Sequence, residues 1–421
     1  MTAVPDALLK YQRQRSVTGP WKLQGDRKGA CEMCVVIPAL GESAALPQTL
    51  DSLSKNSADA LARSLIVVVV NQRTDAADAL KKDNLKTLEL LHNHPAGKLR
   101  LAWIDACSCG TELPPKQGVG LARKIGFDLS LSRLSWNDRP VLVSLDADTL
   151  VSPDYLAKLF EHFRTTSAGG AVIPFRHIEA DDLLQERAIR RYELYLRSYV
   201  LGLQLAGSPY AYTSIGSAFA CTAMAYIQAG GMNRRQAGED FYFLQQVAKT
   251  TGMTTLQGGM VRPSPRPSER VPFGTGKAVS MQNSQGGSPF FFSDKAAFLL
   301  LQKWLALASQ HWQTGAAQLL NRAEELDHRL AEFLTRLNVE ASWTRLQANY
   351  RSPHQFIRGF HCWFDGLRTR QLLTTLAGSE SGSELELINE LFRWGEMEEK
   401  NSASEQLLAL ERLQGVAVST R

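Results

Sequence analysis

The chain has 421 residues, of which 44% are hydrophobic and 21% charged, and its 47 basic and 42 acidic side chains give a net charge of +5. These ordinary values exclude a largely disordered chain, and the small positive charge does not support nucleic-acid binding. This length exceeds what one hydrophobic core usually serves, so we expect a main domain of about two to three hundred residues and a second unit.

The N-terminal sequence MTAVPDALLKYQRQRSV lacks the apolar core of a secretory signal. No later segment offers the roughly 18 uninterrupted apolar residues of a membrane span. Six cysteines in a chain of this length favour a reducing compartment over a disulfide framework. We therefore expect a soluble, cytoplasmic protein without a transmembrane segment.

Two close cysteine pairs, Cys31/Cys34 and Cys107/Cys109, could together supply four thiolates to a zinc ion. The first pair comes where one predicted strand begins, and the second comes where another ends. In a parallel sheet these positions lie at opposite edges. We expect free thiols there, and no zinc site.

Residues 1–30 are polar and interrupted by Pro and Gly, which predicts an N-terminal extension or loosely docked arm. From Met33 onward, short apolar runs alternate with helical stretches, a pattern typical of βαβ units. Strands are predicted in MCVVIPAL, SLIVVVVN, KLRLAWIDA and PVLVSLDAD. The pattern predicts an α/β domain at 31–290 with a nucleotide-binding sheet flanked by helices, whose ligands bind at the carboxyl ends of the strands.

Beyond the fourth strand the pattern becomes more varied. Small residues crowd SIGSAFACTAMAYIQAGG, which predicts a close approach of the backbone to another group. Residues 261–289 are rich in Pro, Gly and Ser and predict a long loop that acts as a lid or binding element. Helical periodicity dominates the C-terminal region, 291–421, where five tryptophans are core candidates: Trp304, Trp312, Trp343, Trp363 and Trp394.

Asp146 and Asp148 end the fourth apolar strand and, being two residues apart, point to the same side of it. Carboxylates placed in this way can share a hard cation with substrate phosphates. Acidic residues also close strands into turns, so the Asp-x-Asp pattern is informative mainly through its position.

Four motifs in order carry a family resemblance: VVIPALGE, GVGLARKIG, LDADTLVSPDYL and AGGMNRRQAGEDFYFLQQV. Together they resemble the family 2 glycosyltransferases of the GT-A fold, over roughly residues 33–275. The resemblance implies a GT-A domain at 31–290 with a mixed sheet. It also implies a hexosyltransferase-like enzyme that uses a nucleotide-sugar donor and a divalent cation, Mn²⁺ or Mg²⁺.

The resemblance assigns the metal and nucleoside positions first. Asp148 would bind the cation, and Asp146 would lie by the cation and the donor's ribose or sugar. Pro38 and Glu42 match the start of the nucleoside pocket, with Glu42 near the base.

Basic residues would hold the rest of the donor. Arg123 and Lys124 match the pair that lines the donor, although a basic pair can also be the solvated face of a helix. Arg270 would reach the leaving diphosphate from the loop. Where the family usually has a carboxylate, this chain has Asn71 followed by Gln72, so recognition of the base would rely on neutral amides or on Asp75.

Asp240 matches the family's catalytic base, and Glu239 matches its neighbour on the acceptor side. Both could instead stabilise the N-terminus of the helix that follows them, and the two roles are compatible. The histidines His177, His354 and His361 are left out of the metal site.

The implied reaction is direct displacement with inversion at the anomeric carbon. The Gln-x-x-Arg-Trp motif of processive synthases is absent from the sequence, which favours a non-processive enzyme. The acceptor, a glycan, a lipid-linked sugar or a small molecule, stays open. Two alternatives also stay open: a sugar nucleotidyltransferase, and a non-catalytic sugar-nucleotide-binding or scaffolding protein.

Overall fold

The computed structural model describes residues 5–94, 97–235, 238–266, 292–377 and 382–416. The chain divides into two units. The first contains Met1–Ile189, Ser214–Ser284 and Arg412–Arg421, and the second contains Arg190–Thr213 and Gln285–Glu411. This division differs from the boundaries expected at residues 30 and 290, because one helical segment of the middle region belongs with the C-terminal helices.

The strands of the described residues all belong to the first unit: β1 (Leu23–Gly25), β2 (Met33–Ala39), β3 (Ser64–Asn71), β4 (Leu101–Ala106), β5 (Val141–Ser144), β6 (Thr149–Val151), β7 (Gly170–Val172), β8 (Phe219–Thr222), β9 (Met253–Thr255) and β10 (Val261–Pro263).

The helices that precede residue 267 follow in chain order: α1 (Asp6–Gln14), α2 (Leu46–Ser54), α3 (Ala58–Arg63), α4 (Asp78–His92), α5 (Val119–Ser130), α6 (Tyr155–Thr165), α7 (Leu183–Leu205), α8 (Ala223–Gln228) and α9 (Glu239–Thr251). The remaining helices form the C-terminal region: α10 (Lys295–Gln310), α11 (Ala316–Leu326), α12 (His328–Arg336), α13 (Val339–Asn349), α14 (Pro353–Trp363), α15 (Gly366–Leu376), α16 (Glu384–Trp394) and α17 (Ala403–Leu413).

The main sheet has eight strands in the order β1-β4-β3-β2-β5-β8-β7-β9. Strands β4, β3, β2 and β5 are parallel, whereas β1, and β8 between β5 and β7, run antiparallel to their neighbours. Every residue of β2 and β3 is buried, as expected for apolar strands covered on both faces. The predicted class, a mixed sheet flanked by helices with a mainly helical C-terminal region, is confirmed.

The carboxyl ends of β2 and β5 meet at one edge of the sheet. Their pairing covers only Met33–Val36 of β2, so Pro38, which has no N–H, lies beyond this ladder and costs it no hydrogen bond. Directly after β5 the chain carries Asp146 and Asp148 and then enters β6, which pairs with β10 in a separate two-stranded sheet. This edge therefore carries the predicted acidic motif.

Residues 5–30 are anchored to the first unit, so the predicted loosely docked arm is wrong for these residues. Tyr11 of α1 is 3% exposed and donates a hydrogen bond to Asp128 of α5. Strand β1 pairs with β4 at Leu23–Gly25. The prediction failed because the polar composition conceals a few buried anchoring residues.

The helices of the second unit share a continuous apolar core. Trp304 and Trp343 are fully buried in it, and both make edge-to-face contacts with Phe360. The other three predicted tryptophans are partly buried and pack against this core: Trp312, Trp363 and Trp394. Among the helices that the structure describes, none is long and apolar enough to cross a membrane.

Candidate active site

Arg123 joins two acidic residues that are far apart in the sequence. Its guanidinium binds Asp146, after β5, and Glu239, the first residue of α9, while its Nε donates to the Ser144 hydroxyl at 3.0 Å. The arginine side chain is 3% exposed, whereas Asp146 is 37% exposed. The solvated-face alternative is thereby wrong for Arg123, which is a buried clamp that leaves one side of Asp146 open to solvent.

Glycine backbone makes room for this clamp. A Cβ at Gly216 would lie 2.4 Å from an Arg123 guanidinium nitrogen, and a Cβ at Gly120 would lie 2.4 Å from the Arg235 carbonyl oxygen. Real Cβ atoms essentially never approach so closely. The small residues around position 216 therefore let the backbone lie against the arginine, which confirms the predicted close approach.

A second arginine links the other carboxylates of this edge. Arg266 binds Glu42, after β2, and lies 2.9 Å from Asp148 Oδ2. Glu42 and Asp148 are mostly buried, with side chains 9% and 23% exposed. No local sequence pattern marks Arg266, so it is absent from the site residues predicted from the sequence.

Five acidic residues now share one edge of the first unit, and we call them the carboxylate cluster: Glu42, Asp146, Asp148, Glu239 and Asp240. Burial raises the pKa of Asp148 to about 6, and the negative charges of Asp146 and Glu42 contribute to the rise against the opposing effect of Arg266. Crowded carboxylates of this kind are typical of functional sites.

Glu239 and Asp240 start α9 after Gly238, whose positive φ of 67° suits glycine. Burial raises the pKa of Glu239 to about 7; Arg123 opposes the rise and Asp240 adds to it. Burial likewise raises the pKa of Asp240, against the effect of Arg123. Glu239 is almost fully buried against Arg123, whereas Asp240 is only partly buried and accepts a hydrogen bond from the Phe241 N–H at 2.7 Å. Asp240 is thus the more accessible of the two.

The carboxylate cluster fits a divalent cation that is bound together with phosphates. In the described part of the chain, no group of three or more His, Cys, Asp or Glu side chains is arranged to hold a metal ion. Mg²⁺ and similar hard cations commonly take only one or two carboxylates and obtain further oxygens from water and substrate phosphates. The side chains of Asp146 and Asp148 offer only oxygen ligands. A bound cation would relieve the repulsion between their two negative charges.

Lys124 has partners different from those of Arg123. Its Nζ lies 3.0 Å from Asp128 Oδ2 and donates to the Tyr11 hydroxyl at 2.9 Å. Tyr226 also donates to Asp128, at 2.7 Å. These four buried residues, which we call the tyrosine cluster, anchor α1 and α8 to α5. Lys124 therefore points away from the carboxylate cluster, and the structure does not bring it to the predicted donor site.

The amides predicted to recognise the base are engaged within the sheet. Asn71 donates to the Ala39 and Val69 carbonyl oxygens, both at 3.1 Å, and Gln72 donates to the Cys107 carbonyl oxygen at 2.7 Å. Asp75 is exposed and pairs with Arg73. Asn71 thus ties the ends of β2 and β3 together beside the site.

Arg270 and most of the predicted 261–289 loop lie outside the described residues; the described start of that segment forms β10. His177 is buried and contacts Phe175, and His361 lies in α14 of the second unit. The cysteines are free thiols, with Cys31 and Cys34 sulfurs 3.4 Å apart.

No known family profile matches the chain, and no curated protein matches it. Solved structures resembling it include TarS 1–349 of S. aureus in complex with UDP-GlcNAc, at 14% identity, 91% coverage of this chain and 90% of that chain, with a TM-score of 0.38. Mannosyltransferase PcManGT from Pyrobaculum calidifontis, in complex with GDP-Man and Mn²⁺, is 16% identical, with a TM-score of 0.39; the match covers 97% of this chain and 94% of that chain. GalNAc-T7 with UDP, GalNAc and Mn²⁺ is 14% identical, with a TM-score of 0.35; the match covers 69% of this chain and 52% of that chain. Values this low assign no substrate or site residue to this chain.

Proposed function

We propose that this chain is a metal-dependent glycosyltransferase that transfers a sugar from a nucleotide-diphosphate-sugar to an acceptor hydroxyl. The observation that carries the proposal is the Arg123 clamp, which brings Asp146 at the strand end together with Glu239 at the start of α9. It gathers three of the four ordered sequence motifs at the edge where α/β sheets bind ligands.

Asp148 and Asp146 would hold the divalent cation, Mn²⁺ or Mg²⁺. When bound, the cation would neutralise charge on the departing nucleoside diphosphate. Arg123 fixes the orientation of Asp146, because its guanidinium is buried and also held by Ser144 and Glu239. Preorganised ligands of this kind lower the cost of ordering the site.

Asp240 would remove the proton from the acceptor hydroxyl, and direct displacement would invert the anomeric carbon. Burial raises the pKa of Asp240, which makes its carboxylate a stronger base. A general base works best with a pKa near the operating pH. Glu239 supports this role from beside it by holding Arg123, and is therefore a positioning residue.

Pro38 and Glu42 would begin the nucleoside pocket, and Arg266 supplies a cation near the donor phosphates. Asn71 would act on the base indirectly, since its amide already braces the strand ends. A hexosyl donor is the substrate class that we propose, and the acceptor is a hydroxyl compound.

A thermal-shift screen of uridine- and guanosine-diphosphate sugars, with and without Mn²⁺, tests the proposal, because ligands that bind the folded state raise the unfolding temperature. We expect at least one donor to stabilise the protein only with the cation and to be hydrolysed slowly to the nucleoside diphosphate. Binding without hydrolysis or transfer would indicate the scaffolding alternative. Release of pyrophosphate from a nucleoside triphosphate and a sugar phosphate would indicate a nucleotidyltransferase.

A further inference from the structure

Arg266 occupies the position where a cation would neutralise the acidic edge of the site. A single guanidinium nitrogen contacts both Glu42 and Asp148, the latter at 2.9 Å. One arginine thus bridges Glu42, three residues after β2, and Asp148, which is proposed to bind the metal.

The backbone delivers Arg266 to this place. It follows β10 by three residues, and β10 pairs with β6 in the register Pro263 with Thr149. Asp148 immediately precedes β6, so the paired strands carry the arginine and the aspartate to the same spot. Two hydrogen bonds hold the connection: the Arg266 N–H donates to Ser264 Oγ at 3.4 Å, and Gln185 Nε2 donates to the Pro265 carbonyl oxygen at 2.8 Å.

From this geometry, and resting on the proposed function, we infer that Arg266 is a built-in competitor of the divalent cation, so that the cation and the nucleoside diphosphate bind in concert. A guanidinium and a divalent cation repel each other, so contact of both with Asp148 is costly unless a further anion offsets the repulsion. The cation alone must therefore bind against this repulsion or displace Arg266 from its partners.

A nucleoside diphosphate removes this conflict. Its phosphate oxygens offer Arg266 a new partner, in the geometry that guanidinium groups favour, while they also complete the shell of the cation. The nucleotide should therefore strengthen cation binding, and by linkage the cation should strengthen nucleotide binding by the same factor. Arg266 contributes to this coupling because it weakens cation binding when no nucleotide is present.

The test measures Mn²⁺ binding by electron paramagnetic resonance of the free ion, with the full chain, in the absence and presence of uridine or guanosine diphosphate. The variants are Arg266→Gln, Arg266→Lys and Arg262→Gln. Arg262 lies on β10, four residues before Arg266, with its side chain exposed, which makes it the matched control.

Without nucleotide, Arg266→Gln should bind Mn²⁺ about tenfold more tightly than the wild type, a factor within the usual range of coupling between sites. The factor by which nucleotide improves Mn²⁺ binding should shrink correspondingly. Arg266→Lys keeps the positive charge but loses the planar guanidinium, so its Mn²⁺ affinity should lie between those of the wild type and Arg266→Gln. The Mn²⁺ affinity of Arg262→Gln should match that of the wild type.

Equal or weaker Mn²⁺ binding by Arg266→Gln without nucleotide would overturn the inference and leave the proposed function standing, provided that Mn²⁺ still binds with nucleotide. Absence of Mn²⁺ binding in the wild type and in every variant, with either nucleotide, would overturn the metal-dependent function itself.

Discussion

The guanidinium of Arg123 and the carboxylate of Glu239 form an ion pair in which the side chains are only 3% and 5% exposed. The pair joins α5 to the first residue of α9, and Asp240 follows directly. A buried pair of this kind adds little net stability compared with apolar packing, but it is costly to break. It therefore serves here to fix the positions of Asp146 and of the proposed base.

Removing the arginine should be strongly destabilising. Arg123→Ala leaves Glu239 buried without its charge partner, so we expect a loss of about 3 to 5 kcal/mol in the free energy of unfolding, measured with urea. The control is Arg73→Ala, which removes an exposed pair with Asp75 and should cost less than about 1 kcal/mol. Similar effects for both variants would contradict the clamp.

Closing the space beside the clamp should weaken the site. In Gly216→Ala, the new methyl group would meet the Arg123 guanidinium, and displacement of a packed group costs about 1 to 3 kcal/mol. The affinity for the donor in the presence of the cation should fall together with the free energy of unfolding. Gly29→Ala is the matched control, because a Cβ there meets nothing within 4 Å. Unfolding and donor titrations of both variants decide whether Gly216 is needed.

Glu239 should make stability depend on pH. Burial raises its pKa from 4.5 to about 7, so between these values the folded protein holds this proton more tightly than the unfolded chain does. The free energy of unfolding should therefore fall as pH rises through that window. Relative to Glu239→Gln, which cannot titrate, the wild type should lose of the order of 3 kcal/mol, since each pKa unit corresponds to about 1.4 kcal/mol.

Urea unfolding of both proteins at several pH values from 4.5 to 7.5 measures this difference. A constant difference across the window would mean that Glu239 does not take up a proton there. A difference that grew in favour of the wild type would mean that the ion pair with Arg123 outweighs the burial of the carboxylate.

The N-terminal helix should contribute to stability through Tyr11. Tyr11→Phe removes the hydroxyl that donates to Asp128 and accepts from Lys124, both of which are buried. Leaving buried polar groups short of a partner costs about 1 to 3 kcal/mol. Lys10→Ala, at an exposed position of the same helix, should have little effect. An unchanged free energy of unfolding in Tyr11→Phe would show that the docking of α1 does not depend on this hydroxyl.

Local signals in the sequence predicted much of the fold. Leu46, Leu50 and Leu53 follow helical spacing, and all three are buried in α2. The position of Asp146 at the end of an apolar strand predicted the sheet edge, since a parallel sheet aligns its carboxyl ends. These predictions depend only on short-range periodicity and on strand direction.

The rest of the site depends on contacts across long stretches of chain. Arg123 and Lys124 are adjacent on a helix, so their side chains point about 100° apart, and the sequence does not say which one faces the cluster. Tyr11 reaches Asp128 across 117 positions, and Arg266 reaches Glu42 across 224. Partners so distant follow from tertiary packing, which no local pattern encodes.

The most direct test of the account is the turnover of a cation-dependent donor by Asp240→Asn, measured as release of nucleoside diphosphate together with donor affinity. Loss of a general base should lower turnover by about 10²- to 10⁴-fold and leave donor affinity nearly unchanged. Asp294→Asn is the control, because Asp294 caps α10 and Asn caps helices as well as Asp does. Near-normal turnover by folded Asp240→Asn would contradict the proposed role of Asp240 and, with it, the catalytic site described here.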